Sequence, residues 1–386
     1  MNVSLVTGSK AHTLDLAREL EKRGLFHELI IGYPRAKLGS LEGIPAGKIV
    51  TSPLYHAPMI GLMKAGLANS PFIQTLERLG NARLDRIAAE RLNGVDVLIS
   101  MAGAGRLSGP AVQRKGGKWI CDRGAAHIAW QKKILDPEYD RLGILWQGIS
   151  SEKVAREIEE YDGADRIYVP SEFVRRTFID EGISPEKVEV HSLGVNLTDF
   201  RPDLNRQPNE VFTILGAGQM GVQKGLQVLL DVAKQLSGPF KLQWAGLPLP
   251  EANSLVTQLR AICEFEILGH LTAEELVAAM NQADVFVLPS IQDGFGMVAT
   301  QAMACATPVI LSTATGAAEL IRQGENGFTF LSRDAAALAA HLETLRSNPD
   351  LASALGLAAR QTVTSLGGWT AYGDSIATSL QSLTSL

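Results

Sequence analysis

The chain has 386 residues, 46% of them apolar and 20% charged, with 37 glycines and a formal net charge of −5. One hydrophobic core stops growing at roughly 250 to 300 residues, so this length asks for two domains. The balanced composition and lack of low-complexity tracts exclude disordered and fibrous architectures. Residues 1–195 carry 26 Lys and Arg against 24 Asp and Glu, which leaves 10 against 17 for the remainder. Neither half has the basic excess of a nucleic-acid binder, so no nucleic-acid partner is expected. Cys121, Cys263 and Cys305 are far apart with no CxxC pair, which argues against disulfides and structural zinc and for a reducing, cytoplasmic setting. Met1 to Gly8 reads as a strand entering a turn, not as a signal peptide. No run approaches the ~20 apolar residues that span a bilayer. A soluble protein is expected, at most one that sits at the inner face of a membrane.

Strand-like and helical patterns alternate, which predicts α/β layers with parallel sheets. Strands are predicted at Val3–Thr7, Phe26–Ile31, Val95–Ser100, Lys118–Cys121 and Arg166–Val169, and helices at Leu14–Arg23, Phe72–Leu92, Gly124–Lys133 and Glu172–Glu181. The 59–92 stretch mixes apolar residues with Lys64, Arg78, Arg83, Arg86 and Arg91. Glu77, Asp85 and Glu90 interrupt that charge, so a packed helix is preferred there over a membrane-docking surface. The polar, twice proline-bearing segment 196–208 reads as a linker. Strands follow at Val211–Leu215, Phe240–Trp244, Glu264–Leu268, Val285–Leu288 and Pro308–Leu311, with helices at Gln223–Leu236 and Thr272–Asn281. Thr272 and Glu275 have capping-box spacing. After Asp334 the pattern is helical to the end. Ala164–Ser171 and Ala283–Ser290 share an Ala-Asp, strand, Pro-Ser pattern, an echo expected of two similar halves. Two doubly wound domains would bind a ligand at the carboxyl ends of their strands.

Two loops of the second half have the residue types for that task. Gly216 to Gly225 lies between a strand and a helix, where backbone amides and Lys224 suit a phosphate. It matches neither the P-loop nor the dinucleotide fingerprint, and a solvated lysine at a helix start is the bland alternative. Pro289 to Gly296 follows the next strand, with Asp293 beside Gly294, Phe295 and Gly296, and Gln301 lies further along the helix that follows. By itself this is a glycine-rich turn with an exposed aspartate.

Taken in order, the Pro170–Val174 segment, Val188 to Pro202, Gly218 to Gly225, and Asp284 to Cys305 with Pro308 to Ile310 resemble the retaining glycosyltransferases of family 4. The resemblance runs over the whole chain and is strongest at 165–330. It implies the GT-B architecture, two doubly wound Rossmann-like domains facing a central cleft. An acceptor-binding domain would occupy 1–200 and a nucleotide-sugar domain 201–365, with a helix at 366–386 crossing back to the first. It also implies a UDP- or GDP-sugar as donor substrate, a hydroxyl-bearing acceptor, no prosthetic group and no metal.

Carried over by position, Gly8, Gly218, Gln219, Lys224, Gly294, Phe295, Gly296 and Gln301 would hold the donor. Asp293, Lys224, Arg123 and Asp122 would serve catalysis, and Lys10, His12 and His127 the acceptor. Three positions depart from the family pattern. Gln219 stands where an arginine is usual, and Asp293 and Gln301 stand where two glutamates are usual. Gln219 lacks arginine's permanent forked charge, a loss of ~1 to 3 kcal/mol for a charge-assisted bond. Gln301 keeps a hydrogen bond to ribose without the ionic acceptor pair. A catalytically degenerate binding scaffold, a GT-B epimerase or a pyridoxal-dependent phosphorylase are the competing readings.

Overall fold

The computed structural model describes residues 1–10, 12–38, 41–64, 67 and 70–384. Its first sheet is parallel and contains β1 (Val3–Thr7), β2 (Phe26–Ile31), β3 (Ile49–Thr51), β4 (Val97–Met101), β5 (Lys118–Asp122), β6 (Arg166–Val169) and β7 (Val188–Val190). These lie in the order β3-β2-β1-β4-β5-β6-β7. Helices α1 (Thr13–Lys22), α2 (His56–Lys64), α3 (Pro71–Glu90), α4 (Ser108–Arg114), α5 (Ile128–Leu142), α6 (Ser151–Gly163) and α7 (Glu172–Asp180) belong to the same part of the chain. Residues 191–211 form neither strand nor helix and lead to the second sheet.

That sheet is also parallel, with β8 (Phe212–Ala217), β9 (Phe240–Ala245), β10 (Glu264–Gly269), β11 (Val285–Leu288), β12 (Val309–Ser312) and β13 (Phe328–Phe330) in the order β10-β9-β8-β11-β12-β13. Around and after it run α8 (Leu226–Ala233), α9 (Asn253–Ile262), α10 (Ala273–Gln282), α11 (Met297–Ala304), α12 (Ala335–Ser347), α13 (Pro349–Ser365) and α14 (Gly368–Thr384). Central strands such as β1 and β11 are buried along their whole length. β11 accordingly reads as an unbroken apolar run, and β1 is broken only by the small buried Ser4 and Thr7, as suits a parallel sheet covered on both faces. In both sheets the order reverses beside the first strand, between β1 and β4 and between β8 and β11. Loops leaving the carboxyl ends of strands at such a reversal are where α/β sheets bind ligands. This is the two-domain, doubly wound architecture expected from the sequence.

Local differences have physical causes. The helix expected from Gly124 begins only at Ile128, because His127 is extended (φ −49°, ψ 135°) and its side chain caps the helix by accepting from the Ala129 N–H. The helix expected over 223–236 is a short 3-10 turn at Val222–Lys224 followed by α8, interrupted by Gly225 at φ +79°. That left-handed conformation costs glycine little. The Thr272–Glu275 capping box is present at the start of α10. In α3, Leu84 is fully buried and the Asp85 carboxylate accepts the Leu107 and Ser108 N–H groups, so one face of this helix packs inward.

The last helix returns to the first sheet. Tyr372, Ile376 and Leu380 share a buried cluster with Val3, Leu5, Leu14 and Leu20. Ser379 bonds Tyr168 at 2.7 Å, Ser375 bonds His191 at 2.7 Å, and Arg23 reaches Asp374 at 2.6 Å. Gly194, just after β7, sits against the backbone of Gly368 and Trp369. Among the described residues no helix is long and apolar enough to cross a membrane. Ile376 is fully buried, so Ile376→Ala should cost about 2–5 kcal/mol through lost burial and the cavity left behind. Calorimetry should show the unfolding transition of the first domain moving down; an unchanged transition would mean that α14 is not part of that core.

Candidate active site

A cavity of about 600 Å³ lies between the two sheets. The first domain supplies Gly8 and Ser9 after β1, Met101 at the end of β4 with Ala102 and Ala104 beyond it, and Arg123, Gly124 and Ala125 after β5. The second domain supplies Asp293, Phe295, Gly296 and Met297 after β11. Strand ends at both order reversals thus face one space, and its size is that of a small-molecule site.

Of the ion pair behind the second-domain wall, Asp293 lines the cavity and Lys224 does not. Lys224, from the loop after β8, bonds the carboxylate of Asp293, from the loop after β11, so the pair spans the reversal of the sheet order. Asp293 is itself fixed through its backbone, its N–H donating to Ala314 O at 2.8 Å and its carbonyl accepting from Gly316 N–H at 3.1 Å. Gly218 packs against the Lys224 side chain. Gln219 is exposed, and Gln301 is half-buried in the second turn of α11; neither lines the cavity.

The first-domain wall centres on His12 and Arg123. His12, at the entry to α1, is buried and its Nε2 lies 2.7 Å from Asp122 Oδ2 at the end of β5. Burial alone would push this imidazole down, but the Asp122 carboxylate, with Asp15 further off, outweighs it and holds the ring above its ordinary range. Arg123 is committed on every side: Nη1 to Glu157 at 2.8 Å, Nη2 to Gln131 at 3.1 Å and Nε to the Ala126 carbonyl at 3.3 Å. Burial disfavours its charge, and the Glu157 carboxylate more than offsets that.

Two of the three residues expected at the acceptor lie off the wall. Lys10 does not line the cavity and sits over the Tyr33 ring, 5.4 Å from its centroid. His127 is buried against Tyr161 and Phe178, with ring centroids 5.0 and 4.9 Å away, and is not part of the wall. Burial pushes its pKa down to about 4, so it is a neutral helix cap inside the core. The resemblance implied His127 as an acceptor ligand; the extended turn at its own position places its ring in the core.

Sequence reasoning missed a third wall. His56, Met59 and Met63 of α2, Ile73, Glu77 and Asn81 of α3, and Lys153 and Glu157 of α6 complete the cavity. Glu77 and Lys153 are paired at 2.8 Å, and His56 Nε2 lies 3.3 Å from Asn81. The 73, 77, 81 spacing along α3 is a one-face helical stripe and was the available signal for part of this wall.

The domains meet tightly beside the cavity. A Cβ on Gly294 would lie 2.0 Å from the Gly124 carbonyl oxygen, a backbone atom that cannot step aside. Ser171 Oγ donates to the Gly294 carbonyl at 2.7 Å, and the Glu319 carboxylate accepts the backbone N–H groups of Glu172 and Phe173 at the start of α7.

This architecture is that of GT-B glycosyltransferases. Anabaena HepE, solved in complex with UDP-glucose, superposes with a TM-score of 0.72 over 99% of this chain and 100% of that one, at 18% identity. Residues 199–362 match the family described as glycosyl transferases group 1. Among curated relatives, a D-inositol 3-phosphate glycosyltransferase of Streptomyces bingchenggensis is 30% identical over 241 residues, 55% of this chain and 52% of the relative. An uncharacterized glycosyltransferase of Methanocaldococcus jannaschii, MJ1178, is 28% identical over 193 residues, 50% of this chain and 53% of that protein. The matches thus span about half the length of these relatives.

Gly294→Ala should force the two domains apart. Small-angle scattering is expected to show a larger radius of gyration with an unchanged far-UV spectrum; an unaltered radius would mean that the Gly124–Gly294 contact does not set the domain spacing.

Proposed function

We propose that the chain is a retaining hexosyltransferase that moves a sugar from a UDP- or GDP-sugar to a hydroxyl acceptor in glycan, polysaccharide or glycolipid synthesis. The observation that carries this reading is the Lys224–Asp293 pair across the reversal of the second sheet, opening into a cavity shared with the first domain. The UDP-glucose held by the similarly folded HepE supports a nucleotide sugar as donor, and the relatives' names support glycosyl transfer as the reaction class.

In this mechanism Lys224 gives up Asp293 for the diphosphate, and the released carboxylate turns to the sugar. A lysine is a compact point charge suited to that exchange. The bond from the anomeric carbon to the phosphate oxygen breaks with its electron pair on the phosphate. The acceptor hydroxyl attacks from the same face, and its proton passes to the departing phosphate. No side chain forms a covalent intermediate, so catalysis is positioning and charge stabilisation in a site closed to water. The substrate pair needs no prosthetic group.

Incubating the protein with UDP-, GDP- and ADP-sugars and following nucleotide release by mass spectrometry tests this. One donor should turn over, and Lys224→Ala should lower its turnover by about 100-fold or more, the effect of removing one transition-state charge contact. No release from any donor, together with no thermal shift, would overturn the enzyme reading in favour of a scaffold that binds a partner without turnover.

A further inference from the structure

Among the described residues each cation on the cavity wall has a carboxylate partner: His12 with Asp122, Arg123 with Glu157, and Lys153 with Glu77, while burial holds the wall's other histidine, His56, toward its neutral form. Lys224, just behind the wall, has Asp293. The pairs differ in what they leave for a ligand. Arg123 has spent its guanidinium on Glu157, Gln131 and Ala126, so it is architectural. Lys153 is bound to Glu77 on the α3 side. His12 is different because an imidazolium has N–H groups at two corners. Asp122 takes Nε2, and among the described residues nothing takes Nδ1, while the ring lines the cavity.

The ring's place is fixed from three sides. Asp122 holds it from β5, Tyr372 of α14 packs edge-on with centroids 6.2 Å apart, and Gly124 lies against its Cε1 side. Gly124 is also the residue whose carbonyl meets Gly294, so His12 stands next to the seam where the second-domain loop enters.

Resting on the glycosyl-transfer reading, we infer that His12 is a catalytic residue that donates from Nδ1 to the departing diphosphate, with Asp122 as its positioning residue. It keeps its own proton: the carbon–oxygen bond to phosphate breaks, the new carbon–oxygen bond to the acceptor forms, and the acceptor's proton goes to the phosphate. His12 supplies from the first domain a second cationic donor for the diphosphate, which Gln219 does not supply from the second.

The charge state follows from the surroundings. Asp122 from β5 and Asp15 one turn along α1 favour the imidazolium, while Tyr372 from α14 is kept neutral by burial. Across the cavity stand the neutralised pairs Arg123–Glu157, Lys153–Glu77 and Lys224–Asp293. A raised pKa means that the donor form is present below it and is lost as pH rises through it. Activity should therefore have an alkaline limb above the ordinary histidine value.

Two measurements test this together. First, ¹⁵N NMR of the histidine side chains in the wild-type protein follows His12 through a pH titration with and without UDP, GDP or pyrophosphate. Its midpoint should lie above 6.5, the ordinary value, and its Nδ1 signal should move on ligand binding. Second, turnover of the active donor is compared for wild type, His12→Gln and Asp122→Asn. His12→Gln should lower kcat about 100-fold with little change in KM. Asp122→Asn should shift the alkaline limb to lower pH and regain activity toward the acidic side, which a merely structural residue would not do. A wild type that binds nucleotide while His12 Nδ1 stays unmoved, or an Asp122→Asn profile with an unshifted limb, overturns the assignment of His12 and leaves the glycosyl-transfer reading standing. A wild type that binds and turns over no nucleotide overturns both.

Discussion

The functional geometry depends on two backbones in contact, the Gly124 carbonyl of the first domain and Gly294 of the second, with no room for a side chain between them. Around that contact each domain lends residues to the other. Phe295 belongs to the buried cluster of the first domain with Val3 and Leu14. Leu135 and Tyr139 of α5 belong to the cluster of the second with Met220, Val222 and Leu226. Glu138, on the same helix, accepts from Gln227 at 3.0 Å and from Arg333 at 2.6 Å. The loop carrying Lys224 is therefore braced from the first domain, and the loop carrying Asp293 is anchored in it. A cavity built this way exists only while the domains are together, which is how domain closure can exclude water from a reaction.

Charge follows the same logic. A cleft with buried walls cannot hold unpaired ions cheaply, since removing a charge from water without a partner costs several kcal/mol. Among the described residues each wall cation is accordingly matched by a carboxylate, and the cleft stays close to neutral although it is rich in ionisable groups. An anionic ligand must then replace a carboxylate or use a donor that its partner leaves over. Lys224 fits the first route and His12 the second. The overall acidity of the second half is no obstacle, because the site works through local exchange of partners.

How much of this was legible in the sequence depends on the range of the interaction. Strands β1, β2, β6 and β11 stood out because each is a short, mostly apolar segment between turn signals. The three-residue strands β3, β7 and β13 did not, because three residues carry no period. In the second domain, glycines with a lysine or aspartate at strand ends marked Lys224 and the Asp293 loop. On the first-domain side the family resemblance implied Gly8, His12, Asp122 and Arg123, and also Lys10 and His127, which do not line the cavity. Pairings such as His12 with Asp122 or Glu77 with Lys153 join residues far apart in sequence, so no local pattern announces them. His56, Met59 and Met63 follow a stretch with neither charge nor periodicity, and only the α2–α3 packing brings them to the cavity.

The central claim is that one composite cavity receives a nucleotide diphosphate between loops of both domains. A crystal structure with UDP or GDP bound tests it most directly. The account predicts Lys224 Nζ on a phosphate oxygen, Asp293 released from it, and the phosphates within reach of the Gly8 and His12 side of the cleft. A nucleotide bound with the Lys224–Asp293 pair intact, or lodged in the separate cavity beside Pro202 and Pro349, would contradict it.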